Sequence, residues 1–100
     1  MVYNSCMSYT KNKRDKSEHE IVSFWRSVGA TWLEMPGEVG FDGLLVYRTL
    51  VHIVEIKSPG SWKLTPHEVE VRERCEFEGV RYNIVETVEE AGQLIGLDML

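Results

Sequence analysis

Two apolar runs near the middle of the chain are separated by a short polar turn. They cover residues 44–47 and 50–56, and Arg48 and Thr49 lie between them. Side chains of a strand alternate between its two faces, and the second run has apolar side chains on both. Strands that are covered on both sides show this pattern. The two runs therefore predict an antiparallel hairpin at the centre of a sheet.

Three helices and two further strands are predicted around this hairpin. The first helix begins at Ser17 and ends at Gly29, and its apolar residues follow helical spacing: Ile21, Phe24, Trp25 and Val28. Residues 31–33 and 80–86 are predicted strands. Thr65 begins a second helix and Thr87 a third. The predicted order is α-β-β-β-α-β-α, an α/β domain over residues 17–100 that follows an arm formed by residues 1–16.

Charged residues stand at the open end of the predicted hairpin. Asp42 precedes the first run, and Glu55 and Lys57 lie at the end of the second. A turn centred on residues 48–49 places Asp42 directly opposite Glu55, with the two Cβ atoms about 4.5–5.5 Å apart. Arg-Thr lacks the Asn or Gly that favours a two-residue turn. A four-residue loop with the same centre keeps this register, and an odd loop needs a bulge at Gly43.

Two opposed carboxylates repel each other unless a cation lies between them. Hard oxygen ligands suit Mg²⁺ or Mn²⁺ better than zinc. We therefore expect an octahedral site made by Asp42, Glu55, the backbone carbonyl of Ile56 and water. Lys57 beside it is placed to orient a metal-bound water or to stabilise charge on a phosphate. The alternative for Glu55 and Lys57 alone is a solvated ion pair at a strand end.

At these residues the sequence resembles the PD-(D/E)XK nuclease superfamily, through Asp42 followed by Glu55-Ile56-Lys57. The stretch Lys-Leu-Thr-Pro at residues 63–66, and Gly-Val-Arg-Tyr-Asn-Ile-Val at 79–85, resemble its VRR-NUC branch. That branch includes small stand-alone phage and bacterial proteins and the nuclease domain of the Fanconi-associated nuclease. The resemblance covers about residues 17–97. It implies a restriction-endonuclease-like core, with a mixed sheet flanked by helices, and metal-dependent endonucleolytic hydrolysis of branched, flap or junction DNA.

The resemblance also implies roles for individual residues. Asp42 and Glu55 would bind the metal, and Lys57 would position the attacking water. Glu20 on the first helix would reach the metal, usually through water. Glu20 has a structural interpretation as well, because Ser17-x-x-Glu20 is a capping box. Glu18 is a weaker candidate for the same metal-binding role.

Glu68 departs from the family pattern, in which glutamine is expected after Leu-Thr-Pro-x. Thr65-x-x-Glu68 is also a capping box. A third carboxylate near Asp42 and Glu55 would add repulsion or demand more metal. Whether Glu68 joins the site is therefore left open by the sequence.

The net charge of −5 is unexpected for a protein that approaches phosphates, although bound cations would offset part of it. The candidate DNA contacts are Lys63, Trp62, Lys11, Lys13, Arg14 and Lys16. Residues 1–16 form either a basic arm on the DNA backbone or a solvated tail. Trp62 either stacks on a base or sugar or covers the core.

Cys6 and Cys75 lack the spacing of a metal or redox site, so free thiols in a reducing cytoplasm are expected. No apolar run reaches the length of a membrane span. The small core favours a homodimer, with the carboxy-terminal segment as part of the interface through Leu94, Ile95, Leu97, Met99 and Leu100. A different class of function is a non-catalytic nucleic-acid- or partner-binding module that retains the fold. A third possibility is a catalytic subunit that depends on another chain for DNA affinity.

Overall fold

The computed structural model describes residues 15–97. Its helices are α1 (Asp15–Ser27), α2 (Pro66–Phe77) and α3 (Val88–Leu94), its strands are β1 (Thr31–Glu34), β2 (Gly43–Tyr47), β3 (Leu50–Ile56) and β4 (Tyr82–Val85), and a short 3-10 turn covers Gly37–Val39. The predicted α/β class and the order α-β-β-β-α-β-α are confirmed. Within residues 15–97, no helix is long and apolar enough to cross a membrane.

The four strands form one mixed sheet in the order β1-β2-β3-β4. β1 and β3 pair antiparallel with β2, and β4 pairs parallel with β3. A parallel pair needs a crossover connection, and α2 lies within it. The loop that precedes α2 therefore begins at the end of β3 that carries Glu55 and Lys57.

The β2–β3 hairpin has the register that the position of its turn predicts. Gly43 pairs with Val54 and Tyr47 with Leu50. The turn itself has two residues, so the four-residue alternative is wrong. Its residues have positive φ, 49° at Arg48 and 72° at Thr49, as a type I′ turn requires. Pairing along the whole hairpin imposes a conformation that the two residue types do not favour.

The main core lies on one face of the sheet, beneath α1 and α3. It is formed by Ile21, Val22, Trp25, Ala30, Trp32, Leu45, Val54, Ile56, Val85 and Ala91. Trp25 stacks on Trp32 with ring centroids 5.2 Å apart, and its indole N–H donates to the Ala91 carbonyl at 3.0 Å. A side chain at Gly43 would meet the Trp32 ring, because a Cβ there would lie 2.5 Å from it. Glycine at this position therefore lets β1 pack closely beside Asp42.

The opposite face carries Glu55 and Tyr82, which are both buried. Farther from Glu55 on this face, Leu33 and Val51 are exposed. Helix α2 contacts β4 and has no fully buried residue, so it lies at the surface of the domain. The candidate catalytic residues therefore lie on the less covered face of the sheet.

Several element boundaries differ from the predicted ones by one or two residues, at α1 and β4 among others. Helix α1 begins at Asp15, so Ser17 is already inside the helix and the predicted Ser17–Glu20 capping box is wrong. Strand β4 covers Tyr82–Val85 instead of residues 80–86. The capping box that begins α2 is confirmed. Its Thr65 hydroxyl accepts from the Glu68 N–H at 3.1 Å, and Glu68 Oε1 accepts from the Thr65 N–H at 2.9 Å.

Candidate active site

Asp42 and Glu55 lie at the open end of the β2–β3 hairpin. The Asp42 N–H donates to the Val54 carbonyl at 3.0 Å, so Asp42 shares the strand partner of Gly43. The Ile56 N–H then donates to Asp42 Oδ2 at 2.8 Å. The paired register ends at Gly43 and Val54, so the exact pairing of Asp42 with Glu55 stays a prediction. The contact at Ile56 uses its N–H, and a role for its carbonyl as a metal ligand stays a prediction.

Glu55 is buried, with 1% of its surface exposed, and Lys57 is its nearest cationic partner. Lys57 Nζ lies 3.2 Å from Glu55 Oε2. That oxygen nevertheless makes no hydrogen bond of good geometry. A buried carboxylate oxygen without such a bond is costly, because it has given up hydration without full compensation. A cation bound at this oxygen would supply the missing interaction.

Lys57 is shared between two carboxylates. Its Nζ lies 3.3 Å from Glu68 Oε1, the same oxygen that accepts the Thr65 N–H. Glu68 therefore caps α2 and also contacts the candidate catalytic lysine. The sequence leaves a capping role and a role at the site as alternatives. In the structure Glu68 caps α2 and also lies beside the site. Binding of the metal by Glu68 itself stays a hypothesis.

The electrostatics of the cluster depend on burial and on the nearness of three carboxylates. Burial raises the pKa of Glu55 to about 8, and the charges of Asp42 and Glu68 add to the effect, while Lys57 opposes it. Burial also acts to raise the pKa of Glu68. The hydrogen bond from Thr65 and the charge of Lys57 outweigh burial there, so the pKa of Glu68 is held below its usual range. Of these carboxyl groups, Glu55 is therefore the one whose ionised form is disfavoured by its surroundings.

The loop before Asp42 is fastened at two points. The Tyr82 hydroxyl donates to the Gly40 carbonyl at 2.6 Å, and a His67 ring nitrogen donates to the Glu38 carbonyl at 2.7 Å. Gly40 has a φ of +96°, and a Cβ there would lie 2.5 Å from a Val71 methyl group. The close approach of the loop to α2 thus requires glycine. Sequence reasoning placed Tyr82 on a strand but missed its contact, because the partners are 42 positions apart.

Glu20 is not grouped with this cluster. Its side chain is exposed and lines a cleft of about 330 Å³ that Ser17, Pro59 and Glu89 also line. The buried carboxylate of α1 is Glu18, which lies one turn before the core residues Ile21 and Val22. A role for Glu20 in metal binding therefore stays a prediction.

Among the predicted DNA contacts, Lys63 is exposed and Trp62 is half-buried. The Trp62 indole N–H donates to Glu86 Oε2 at 2.9 Å, so this ring is fastened to the end of β4. Lys11, Lys13 and Arg14 lie outside the described residues, and so does the side chain of Lys16. The thiol of Cys75 is free, as expected. His52 lies on the core face, where burial lowers its pKa.

The donor set suits a hard divalent cation bound by few protein ligands. Between residues 15 and 97, no three His, Cys, Asp or Glu side chains are arranged to hold a metal together. Mg²⁺, however, commonly binds one or two carboxylates and completes its octahedron with water and substrate phosphates. Asp42 and Glu55 fit that arrangement, since the buried Glu55 Oε2 lacks a good hydrogen bond, and burial first and the charge of Asp42 second raise the pKa of Glu55.

Comparison of the chain with models of protein families, with characterised proteins and with solved structures found no match. The resemblance to PD-(D/E)XK nucleases therefore depends on Asp42, Glu55, Lys57 and the residues of the Leu-Thr-Pro and Gly-Val-Arg-Tyr stretches. The geometry itself shows an α/β domain with four strands in a mixed sheet, packed against helices.

Proposed function

We propose that this protein is a divalent-metal-dependent deoxyribonuclease with a restriction-endonuclease-like core. The observation that carries the proposal is the convergence of Asp42, buried Glu55 and Lys57 at one end of the central hairpin. An acidic pair with an adjacent lysine has the groups that phosphodiester hydrolysis needs, namely ligands for a metal and a cation beside the reacting phosphate. The mixed four-stranded sheet agrees with this fold but does not distinguish it from others.

Each residue of the cluster has a proposed task. Asp42 and Glu55 hold Mg²⁺ or Mn²⁺, which supplies Lewis-acid polarisation of the phosphate and an acidified water. Lys57 orients the attacking water and offsets the negative charge that develops on the phosphate oxygens. The water oxygen forms a bond to phosphorus and gives up a proton to solvent, while the bond to the leaving sugar oxygen breaks and that oxygen takes up a proton from solvent. Glu68 also contacts Lys57, at 3.3 Å from its amine, so that the amine stays near the pair.

The proposed substrate is DNA recognised by its structure, such as a branch, a flap or a junction. Support for this comes from the resemblance to the VRR-NUC branch and from the exposed Lys63, which comes after the site along the chain. Because the chain carries a net charge of −5, we expect DNA affinity to depend strongly on divalent cations and salt. The arm of residues 1–16 is the proposed source of additional backbone contacts.

The test is a cleavage assay with the purified protein. Labelled duplex, flap and four-way junction DNA are incubated with Mg²⁺, Mn²⁺ or EDTA, beside Lys57→Ala prepared in the same way. We expect cleavage of branched DNA by the wild type with either metal and none with EDTA. Absence of cutting on every substrate with both metals would reject the proposal. Equal cutting by Lys57→Ala would reject it too, because it would point to a contaminating nuclease.

A second candidate function is a binding module that retains the fold without catalysis. The net charge of −5 and the engagement of Lys57 by two carboxylates favour it, since a lysine held in this way is less available to a phosphate. The same assay separates the two candidates. Binding of branched DNA without cleavage, measured by fluorescence anisotropy in Mg²⁺, would favour the module.

We also propose that the protein acts as a homodimer, which would place two sites in a fixed relation on a branched substrate. Leu94 and Ile95, which the sequence suggested for the interface, instead pack against the core. Exposed apolar residues such as Leu33 and Val51 offer a more accessible surface. Light scattering at micromolar concentration tests the proposal, and a monomer mass would reject it.

A further inference from the structure

Tyr82 lies beneath the loop that carries Asp42. Its side chain is 4% exposed, and its hydroxyl donates to the Gly40 carbonyl at 2.6 Å. Its ring also meets the Phe41 ring edge-on, with centroids 6.5 Å apart. Gly40 and Phe41 are the two residues directly before Asp42. Tyr82 therefore contacts both residues that lead into the candidate ligand.

On the basis of the proposed function, we infer that Tyr82 is a positioning residue, which holds Asp42 at the distance from Glu55 that a divalent cation requires. A loop residue can shift by more than the tolerance of a metal site unless the backbone beside it is fixed. The hydroxyl of Tyr82 fixes the loop from below, through the carbonyl of Gly40. The hydrogen bond from the Ile56 N–H then fixes the Asp42 carboxylate itself.

Two further observations support this role. Tyr82 pairs in register with Ile53, two positions before Glu55 on β3. Tyr82 therefore lies in the same sheet as the second carboxylate. Burial raises the pKa of the Tyr82 hydroxyl, and the charges of Glu55, Glu68 and Asp42 raise it further. The hydroxyl is thus kept protonated as a donor, and it lies close enough to the three carboxylates to sense their charge.

The contacts of Gly40 also show that the loop is held on two sides. Gly40 approaches α2 so closely that a Cβ would meet Val71, so the loop has little freedom to move toward the helix. Tyr82 holds it from the strand side. Loss of the hydroxyl would remove only the hydrogen bond from the strand side. The aromatic ring would still occupy its buried place.

The experiment compares Tyr82→Phe with the wild type by two readouts. The first is the amide resonance of Ile56 in metal-free protein, which reports the hydrogen bond to Asp42 and needs neither metal nor activity. The second is Mn²⁺ affinity measured by calorimetry. We expect the Ile56 resonance of Tyr82→Phe to move in the direction seen for Asp42→Asn, and Mn²⁺ affinity to fall by roughly tenfold, as loss of a supporting hydrogen bond does in metal sites.

The matched control is Tyr47→Phe, which removes a hydroxyl at the turn end of the β2–β3 hairpin, far from Asp42. It keeps the aromatic ring, whose centroid lies 5.1 Å from the Arg48 guanidinium carbon. It should leave both readouts unchanged. A merely structural role for Tyr82 would lower its melting temperature without moving the Ile56 resonance, and this result would overturn the inference. So would a Tyr82→Phe protein that binds Mn²⁺ as tightly as the wild type does.

Failure of the inference and failure of the proposed function give different results. If the wild type binds no Mn²⁺, the proposed function fails, and with it the inference that Tyr82 serves a metal. If the wild type binds Mn²⁺ and Tyr82→Phe matches it, only the inference fails. Should Tyr82→Phe not fold, His67→Ala releases the same loop at its exposed contact with Glu38. A smaller shift of the Ile56 amide resonance in the same direction would then support the inference that fixing the loop positions Asp42. An unmoved resonance would overturn it.

Discussion

The carboxylate of Asp42 accepts a hydrogen bond from the backbone N–H of Ile56, with Oδ2 2.8 Å from that nitrogen. A residue of the loop is thereby tied to the strand that carries Glu55. This bond and the bond from the Asp42 N–H to the Val54 carbonyl both hold Asp42 on the strand that carries Glu55. Such a site is held close to its binding geometry before any ligand arrives.

The first prediction concerns the acidic pair. Asp42→Asn and Glu55→Gln each remove one ligand charge with little change in volume. In EDTA each should raise the free energy of unfolding by about 1 kcal/mol, because Glu55→Gln removes a carboxyl that is costly to bury and Asp42→Asn removes the charge that adds to this cost. Each should also abolish cleavage and weaken Mn²⁺ binding by more than about tenfold. Urea denaturation and calorimetry measure these effects, and unchanged Mn²⁺ affinity in both variants would contradict the site.

The second prediction concerns Lys57. Lys57→Ala should reduce the cleavage rate by roughly 100-fold or more, the usual cost of losing a group that stabilises charge in the transition state. Binding of Mn²⁺ and DNA should persist, since the lysine acts on water and phosphate. Arg26→Ala is the control, because Arg26 is an exposed cation in the last turn of α1 and has no part in the proposed site. A single-turnover rate for Lys57→Ala equal to that of the control would contradict the role.

The third prediction separates the two roles of Glu68. Glutamine also serves a capping box, so Glu68→Gln should change stability by less than about 1 kcal/mol. Glu68→Ala should cost about 1 kcal/mol, because the Thr65 N–H loses its partner. If Glu68 also binds the metal, Glu68→Gln will shift the Mn²⁺ dependence of cleavage. An unshifted titration would leave Glu68 as a cap that holds Lys57.

The fourth prediction concerns pH. The pKa of Glu55 is about 8 in the folded protein, against 4.5 for an unperturbed glutamate. Between these values the folded state binds more protons than the unfolded state, so the free energy of unfolding falls as pH rises. We expect a metal-free decline from about pH 4.5 to pH 8, with no further contribution from Glu55 above that range. Glu55→Gln should flatten the decline. An equally steep profile for this variant would assign the pH dependence to other groups.

The sequence allowed prediction of the hairpin register because side chains alternate with a period of two residues, and a shift by one would expose the core face. It left the length of the turn open, since Arg48 and Thr49 disfavour the positive φ of a two-residue turn and pairing along the hairpin overrides that preference. The early start of α1 shows a similar limit. The stripe of apolar residues identified the helix, but the pattern did not reveal that Glu18, rather than Glu20, lies on its buried face.

The contacts that complete the site were also beyond local pattern. The Lys57 amine and the Glu68 carboxylate meet because the crossover connection places the start of α2 at the end of β3. The spacing of residues along the sequence does not predict this placement. The same holds for the Tyr82 hydroxyl and the Gly40 carbonyl. Residues joined through the hairpin could therefore be predicted, and residues joined through the crossover could not.

The difference between these two kinds of contact has a consequence for the order of folding. The Asp42–Ile56 bond joins positions 14 apart, whereas the Tyr82–Gly40 bond joins positions 42 apart. Closing a longer loop costs more chain entropy, so local pairings tend to form earlier. The two carboxylates should thus face each other in a transient hairpin before β4 arrives. Mn²⁺ present during refolding should then accelerate the rate-limiting step, and a refolding rate independent of Mn²⁺ would show that the pair forms only after that step.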